Sequence, residues 1–343
     1  MICGGVSGIN KKIVYGIGII SILIIAVLFK WHSGNKYEKQ IKLQEDMALE
    51  KIIKEVNDYS IISGKSIEED GIKYTFDLKK GVNLDIESGA LQMKEVSKGD
   101  QKEIIYSDSK GNEKLILEIN YFTPPKLAIL IDDVGMNTKT TTYFKKIDKP
   151  LSFATIPYLP KTNQATKILK DAGFEVILHM PMEGSNDILN RRTVGLIKPS
   201  MTEKEIYDKF DGAIENLGAV KGFNNHMGSR FTNDPEKMRS LLSYVKKKEM
   251  FFIDSNTNSK REGYKIAKEL DIPTYYTSYF IDNSHKKEDI MEAIKVSVRL
   301  AVERDKVLVI GHYRKETAEA IYEMLDYIED EGVELVSISE VLE

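Results

Sequence analysis

Two adjacent carboxylates, Asp132 and Asp133, close the apolar run LAILI in the segment LAILIDDVG. His179 and Glu183 occur in HMPMEG, Asn224, Asn225 and His226 in NNHMGS, Asp254 in FFIDSNT, and His312 in VLVIGH. Each group directly follows a short apolar stretch, and three of the chain's five histidines stand in such places. Adjacent carboxylates cannot both stay ionised cheaply in a closed site unless a cation lies beside them. Carboxylate oxygen and imidazole nitrogen, without thiolate, suit zinc and other first-row divalent ions. Together the two carboxylates and three histidines make a candidate divalent-metal site. Taken singly, each residue reads as a cap, a turn or a hydrogen-bonded core group; their convergence makes the case. Residues 126–343 hold no HExxH helix, no GxSxG elbow and no glycine-rich phosphate loop. Ser229, beside a histidine in HMGS, is read as structural.

These groups need elements that bring them together. The apolar runs are 127–131, 151–156, 174–178, 220–224, 250–254, 273–277, 307–311 and 333–338. Helical segments alternate with them, and several have legible ends. Thr202 with Glu205 forms a capping box before 203–217, with Gly218 beyond the end; Asn233 or Asp234 caps a helix that opens on Pro235. Apolar rather than alternating strands, separated by helices, predict a mostly parallel sheet buried on both faces. Eight such runs fit a distorted α/β barrel better than an open sheet. In parallel α/β folds ligands bind at the carboxyl ends of the strands, where the polar residues above collect.

The rest of the chain carries less chemistry. With 343 residues, 42% hydrophobic and 30% charged, and a net charge of −4, it has ordinary globular composition and no basic excess that would point to nucleic acid. Its single cysteine, Cys3, excludes an internal disulfide and any multi-cysteine zinc site. After a short stretch, 1–12, the run 13–29 carries no charge between Lys12 and Lys30 and is followed by no small-residue cleavage pattern. It is read as an uncleaved transmembrane anchor over 13–30. Lysines on both sides leave its orientation undecided by charge. Residues 36–57 have helical apolar spacing, and four short β-prone runs at 72–78, 81–89, 102–108 and 113–122 follow. Residues 31–122 are therefore expected to form a juxtamembrane helix and a small α+β module, ended by TPPK at 123–126.

The order IDDVG, GFEVILHMPMEG, NNHMGSRFT, FFIDSNT and VLVIGH resembles the polysaccharide deacetylase (NodB-homology) superfamily, and more closely its YibQ-like divergent branch. The resemblance covers about residues 126–343. It implies a deformed (β/α) barrel and metal-dependent removal of acetyl groups from amino sugars, with zinc as the first choice of metal. On the matching positions it makes Asp132 the general base and His312 the general acid. Asp133 and His179 become metal ligands. The second place of the superfamily's H-x3-H motif holds Glu183, a departure, and His226 is available to supply the missing imidazole. Asn224, Asn225 and Asp254 are candidates for binding substrate or stabilising the oxyanion.

The implied setting is a single-pass protein of the cell membrane with its C-terminal domain outside the cytoplasm, acting on an N-acetylated envelope polysaccharide. Two other readings stay open on the residues alone. One is an inactive glycan-binding or scaffold protein that keeps the barrel. The other is a metal hydrolase of a different amide or ester.

Overall fold

A computed structural model of the chain describes residues 36–58, 62–68, 71–79, 86–257 and 260–343. The apolar run 13–29 and its expected membrane span lie outside the described residues. Among the described residues no helix is long and apolar enough to cross a membrane. The chain divides into two compact units, 1–123 and 124–343.

Among the described residues of the first unit a helix, Lys36–Asp58, precedes five strands: β1 (Ile62–Glu68), β2 (Gly71–Lys79), β3 (Gln92–Lys98), β4 (Gln101–Ser107) and β5 (Glu113–Phe122). Their order in the sheet is β1-β2-β5-β4-β3. Pairing is antiparallel except between β2 and β5. The alternation in β2, β4 and β5 puts Tyr74, Phe76, Leu78, Ile104, Tyr106, Leu115, Leu117 and Ile119 on one face, and the helix buries Ile52, Ile53 and Val56 against it. Three elements differ from the expectation, β1 among them, which forms over Ile62–Glu68 where no β-prone run was expected. Ile86–Gly89, the described end of the run expected over 81–89, is not strand. The edge strand β3 is exposed along its whole length, so no core-facing periodicity marks it in the sequence.

Among the described residues the second unit holds eight strands: β6 (Lys126–Val134), β7 (Ser152–Thr155), β8 (Glu175–Met182), β9 (Gly222–Met227), β10 (Phe251–Asp254), β11 (Thr274–Tyr276), β12 (Lys306–His312) and β13 (Glu334–Val336). They pair in parallel in the order β11-β10-β9-β8-β7-β6-β12, and β13 joins β6. Just past β11 the chain reaches β12: Phe280 bridges Ile310, and the amides of Ser278 and Ile281 donate to Leu308 and Ile310. The sheet is thus a nearly closed parallel barrel. Helices lie between the strands, among them Glu203–Leu217 with the Thr202–Glu205 capping box and Pro235–Lys246 capped by Asp234.

Because strand side chains alternate with period two, each strand serves two cores. Leu127, Ile129 and Ile131 of β6 pack outward among the helices with Val307 and Val309 of β12. Ala128, Leu130, Ile177, Ile253, Leu308 and Ile310 form a separate inner cluster. Continuing the inner parity to the carboxyl ends leads to Asp132, His179, Asn224 and His312. The barrel interior is apolar below and polar at this one end.

Candidate metal centre

Asp132 keeps the strand register, opposite His312 of β12. Asp133 should then point outward, away from the site. It does not, because the pairing of β6 with β7 shifts between Ile131 and Val134 and Asp133 adopts φ 66°. A bulge re-aims the second carboxylate, and Asp tolerates the left-handed region better than most residues. Both carboxylates consequently approach Nε2 of His179, Asp133 Oδ1 at 3.3 Å and Asp132 Oδ2 at 3.5 Å.

His179 of β8 is buried, and its Nδ1 lies 2.6 Å from Oδ1 of its register partner Asn224. Two residues further along β9, on the same face, His226 brings Nδ1 to 3.1 Å from His179 Nε2 and 3.0 Å from Asp133 Oδ1. Gly228, at φ 91°, turns the chain just beyond, where a Cβ would come within 3.1 Å of Met182 on β8. Among the described residues, Asp133, His179 and His226 form the group of side chains whose ligand atoms lie within 4.8 Å of one another. Bonds of about 2.0–2.1 Å at tetrahedral angles put ligand atoms roughly 3.3 Å apart. The separations of 3.0, 3.1 and 3.3 Å fit one first-row divalent ion held by one oxygen and two nitrogens. Three protein ligands leave a coordination position open, the pattern of catalytic rather than structural zinc.

The electrostatics of the two carboxylates diverge. Burial, then the neighbouring charge of Asp133, pushes the Asp132 carboxyl well above its ordinary range, with Asn224 opposing. Burial acts the same way on Asp133, but the His179 and His226 imidazoles beside it outweigh that and hold the carboxyl far below the usual range. Burial lowers His179, which favours the neutral imidazole a metal needs. One carboxylate is thus suited to hold a cation and the other to carry a proton.

On the other side of Asp132, His312 Nδ1 lies 2.7 Å from Oδ1 of buried Asp282. Asp282 Oδ2 accepts from the His312 amide and the Thr317 hydroxyl, both at 2.7 Å. Burial raises the Asp282 carboxyl, yet its bonds to His312 and Thr317 leave it below its ordinary value. Asp282 is absent from the sequence-based candidates. The available signal was YFID at 279–282, whose apolar run ending on Asp repeats the pattern of ILID at 129–132 and FFID at 251–254.

Other candidates are placed elsewhere. Glu183 is outside the ligand group; its carboxylate pairs with Arg230 at 3.3 Å, and His226 stands where a second β8 ligand was expected. Asn224 spends both amide hydrogens within the protein, on Asp132 Oδ1 at 2.9 Å and Ser255 Oγ at 3.0 Å, leaving none for an oxyanion. Asn225 donates to the Met227 carbonyl and Thr257 hydroxyl and accepts from the Ser255 amide. Asp254, on the outward parity of β10, accepts from the amides of Asn256 and Tyr264 and so holds a turn and the start of helix Glu262–Glu269. All three are structural or positioning groups in this geometry.

The family model for divergent polysaccharide deacetylases matches residues 129–342. The chain belongs to this family. The match takes in the barrel with every residue of the ligand group and the His312–Asp282 pair. An uncharacterized protein of Haemophilus influenzae is 31% identical to this chain over 196 residues, 57% of this chain and 69% of that one. The uncharacterized protein YibQ of Escherichia coli K12 is 27% identical over 218 residues, 63% of this chain and 67% of that one. The crystal structure of an uncharacterized protein, ATU2773, from Agrobacterium tumefaciens C58 shares the fold, with a TM-score of 0.59 over 64% of this chain and 89% of that one, at 17% identity.

Proposed function

We propose that this divergent polysaccharide deacetylase is a divalent-metal-dependent amide hydrolase, with zinc as its metal, that removes acetyl groups from an N-acetylated polysaccharide of the cell envelope. The observation that carries the reading is the triangle of Asp133 Oδ1, His179 Nε2 and His226 Nδ1 at metal-ligand spacing beside Asp132. A bound divalent ion supplies Lewis acidity, lowering the pKa of water and polarising a carbonyl. The chain's own residues supply the proton transfers. Asp132, with Oδ1 held by Asn224, presents Oδ2 to take the proton of the attacking water. His312, with Nδ1 tied to Asp282, presents Nε2 to protonate the departing amine, and the Asp282 carboxylate stabilises the imidazolium between turnovers. Acid and base stand at paired positions on the adjacent strands β6 and β12.

The envelope substrate rests on the family and on the apolar run 13–29, which we read as an anchor that leaves the barrel outside the cytoplasm. A reporter fused at the C-terminus tests that topology, and reporter activity confined to the cytoplasm would remove the substrate argument. The reaction is tested by metal analysis of the purified chain together with acetate release from chitooligosaccharides and peptidoglycan fragments. Acetate release that is lost on chelation and restored by zinc is expected. Bound metal and glycan without acetate release would replace this reading with that of a binding protein.

A further inference from the structure

Asn224 is fully buried at the crossing of three strands, and every polar atom of its side chain is committed. Nδ2 donates to Asp132 Oδ1 at 2.9 Å and to Ser255 Oγ at 3.0 Å, while Oδ1 lies 2.6 Å from His179 Nδ1. The polarity of this chain of contacts is dictated from one end. At Oδ1 an ionised Asp132, or one protonated on the Oδ2 that faces His179 Nε2, can only accept, so the amide turns its NH2 toward Asp132. Its oxygen then faces His179, and an oxygen can only accept, so Nδ1 must carry the imidazole hydrogen. In a neutral ring that leaves the lone pair on Nε2, the atom facing Asp133 and His226. Turning the amide over would set two acceptors against each other without water to intervene, and would aim an N–H at the ligand group.

We propose that Asn224 is a positioning residue, one amide that sets both the ligating nitrogen of His179 and the free oxygen of Asp132. The inference rests on the hydrolytic reading above and deepens it: metal affinity and proton acceptance are coupled through a single side chain. Asparagine alone suits the place, because the coupling needs a donor and an acceptor on one short planar group. Aspartate lacks the donor, serine the reach, and glutamine adds a methylene in a filled interior.

The test uses the full chain labelled with 15N only in histidine, free of metal, and long-range 1H–15N correlation of the rings. Five imidazoles are present, and His179 is assigned from the spectrum of His179→Gln. The wild type should show His179 as the Nδ1–H tautomer, and Asn224→Ala should shift it toward Nε2–H. Zinc affinity of Asn224→Ala, measured by chelator competition, should fall about 10–100-fold, the usual scale for a group behind a metal-bound histidine. Asn224→Asp keeps the acceptor toward His179, so its zinc affinity should fall less than that of Asn224→Ala while acetate release collapses. An Nε2–H tautomer in the wild type overturns the proposal, and this reading does not depend on Asn224→Ala folding. A folded Asn224→Ala with unchanged zinc affinity and tautomer overturns it as well. A wild type that releases no acetate defeats the proposed reaction, and the tautomer and affinity measurements then still decide the role of Asn224.

Discussion

Asp132 and Asp133 are neighbours in the chain, yet they reach the same atom, Nε2 of His179, from two different backbone conformations. Asp132 follows the pleat of β6, and Asp133 follows the bulge. The two carboxylates therefore have separable jobs. Asp132→Asn should leave bound metal at wild-type stoichiometry and cut the acetate-release rate by roughly 10²–10⁴-fold, the usual contribution of a general base. Asp133→Asn should empty the site. Metal content and rate, measured on the same preparations, check both; full rate in Asp132→Asn would end the assignment.

The same pair sets a dependence of stability on pH in the metal-free protein. Folding raises the Asp132 carboxyl above its ordinary value of 3.8, through burial and then the charge of Asp133. A group raised in the fold contributes stability below its unfolded value and loses it as pH rises through the folded one. Asparagine mimics the protonated acid at every pH. Metal-free Asp132→Asn should therefore melt above the wild type near neutrality, with the advantage vanishing below about pH 4. A constant difference across the range would show that the carboxyl titrates normally.

Asp282 should matter through His312 alone. Asp282→Asn should leave metal content intact and slow acetate release by about 10–100-fold, less than the loss in His312→Ala. An equal loss of metal in Asp282→Asn would mean that β12 supports the ligand group rather than proton transfer.

Gly222 opens β9 opposite Phe251, and an added Cβ would overlap the Phe251 ring. Gly222→Ala should cost about 1–3 kcal/mol as overpacking, read by urea denaturation, without altering zinc stoichiometry. No measurable change would show that the Phe251 ring can turn aside within the barrel.

Much of the barrel is legible in the sequence because burial on both faces leaves apolar runs, and all eight runs from 127 onward overlap strands. The Thr202–Glu205 box and the Asp234–Pro235 helix start are legible for the same reason: capping satisfies backbone groups within a few residues. In the first unit, β3 escapes notice because an exposed edge strand has no inner face to pattern.

The site divides along the same line. Residue type and position at strand ends are local properties, and they suffice to collect Asp132, Asp133, His179, His226 and His312. Whether a side chain points into the barrel depends on register and bulges, which are relations between strands far apart in the chain. That is why Glu183, correctly spaced from His179, pairs with Arg230, while His226 arrives from the next strand. It is also why Asn224, 92 residues from Asp132, has its hydrogen bonds assigned only once the barrel closes. The sequence by itself determined which chemistry was affordable at this rim, a carboxylate–imidazole set without thiolate. Tertiary structure alone decided which of those groups share one point in space, because that point lies inside a sheet nearly closed by pairings no local pattern encodes.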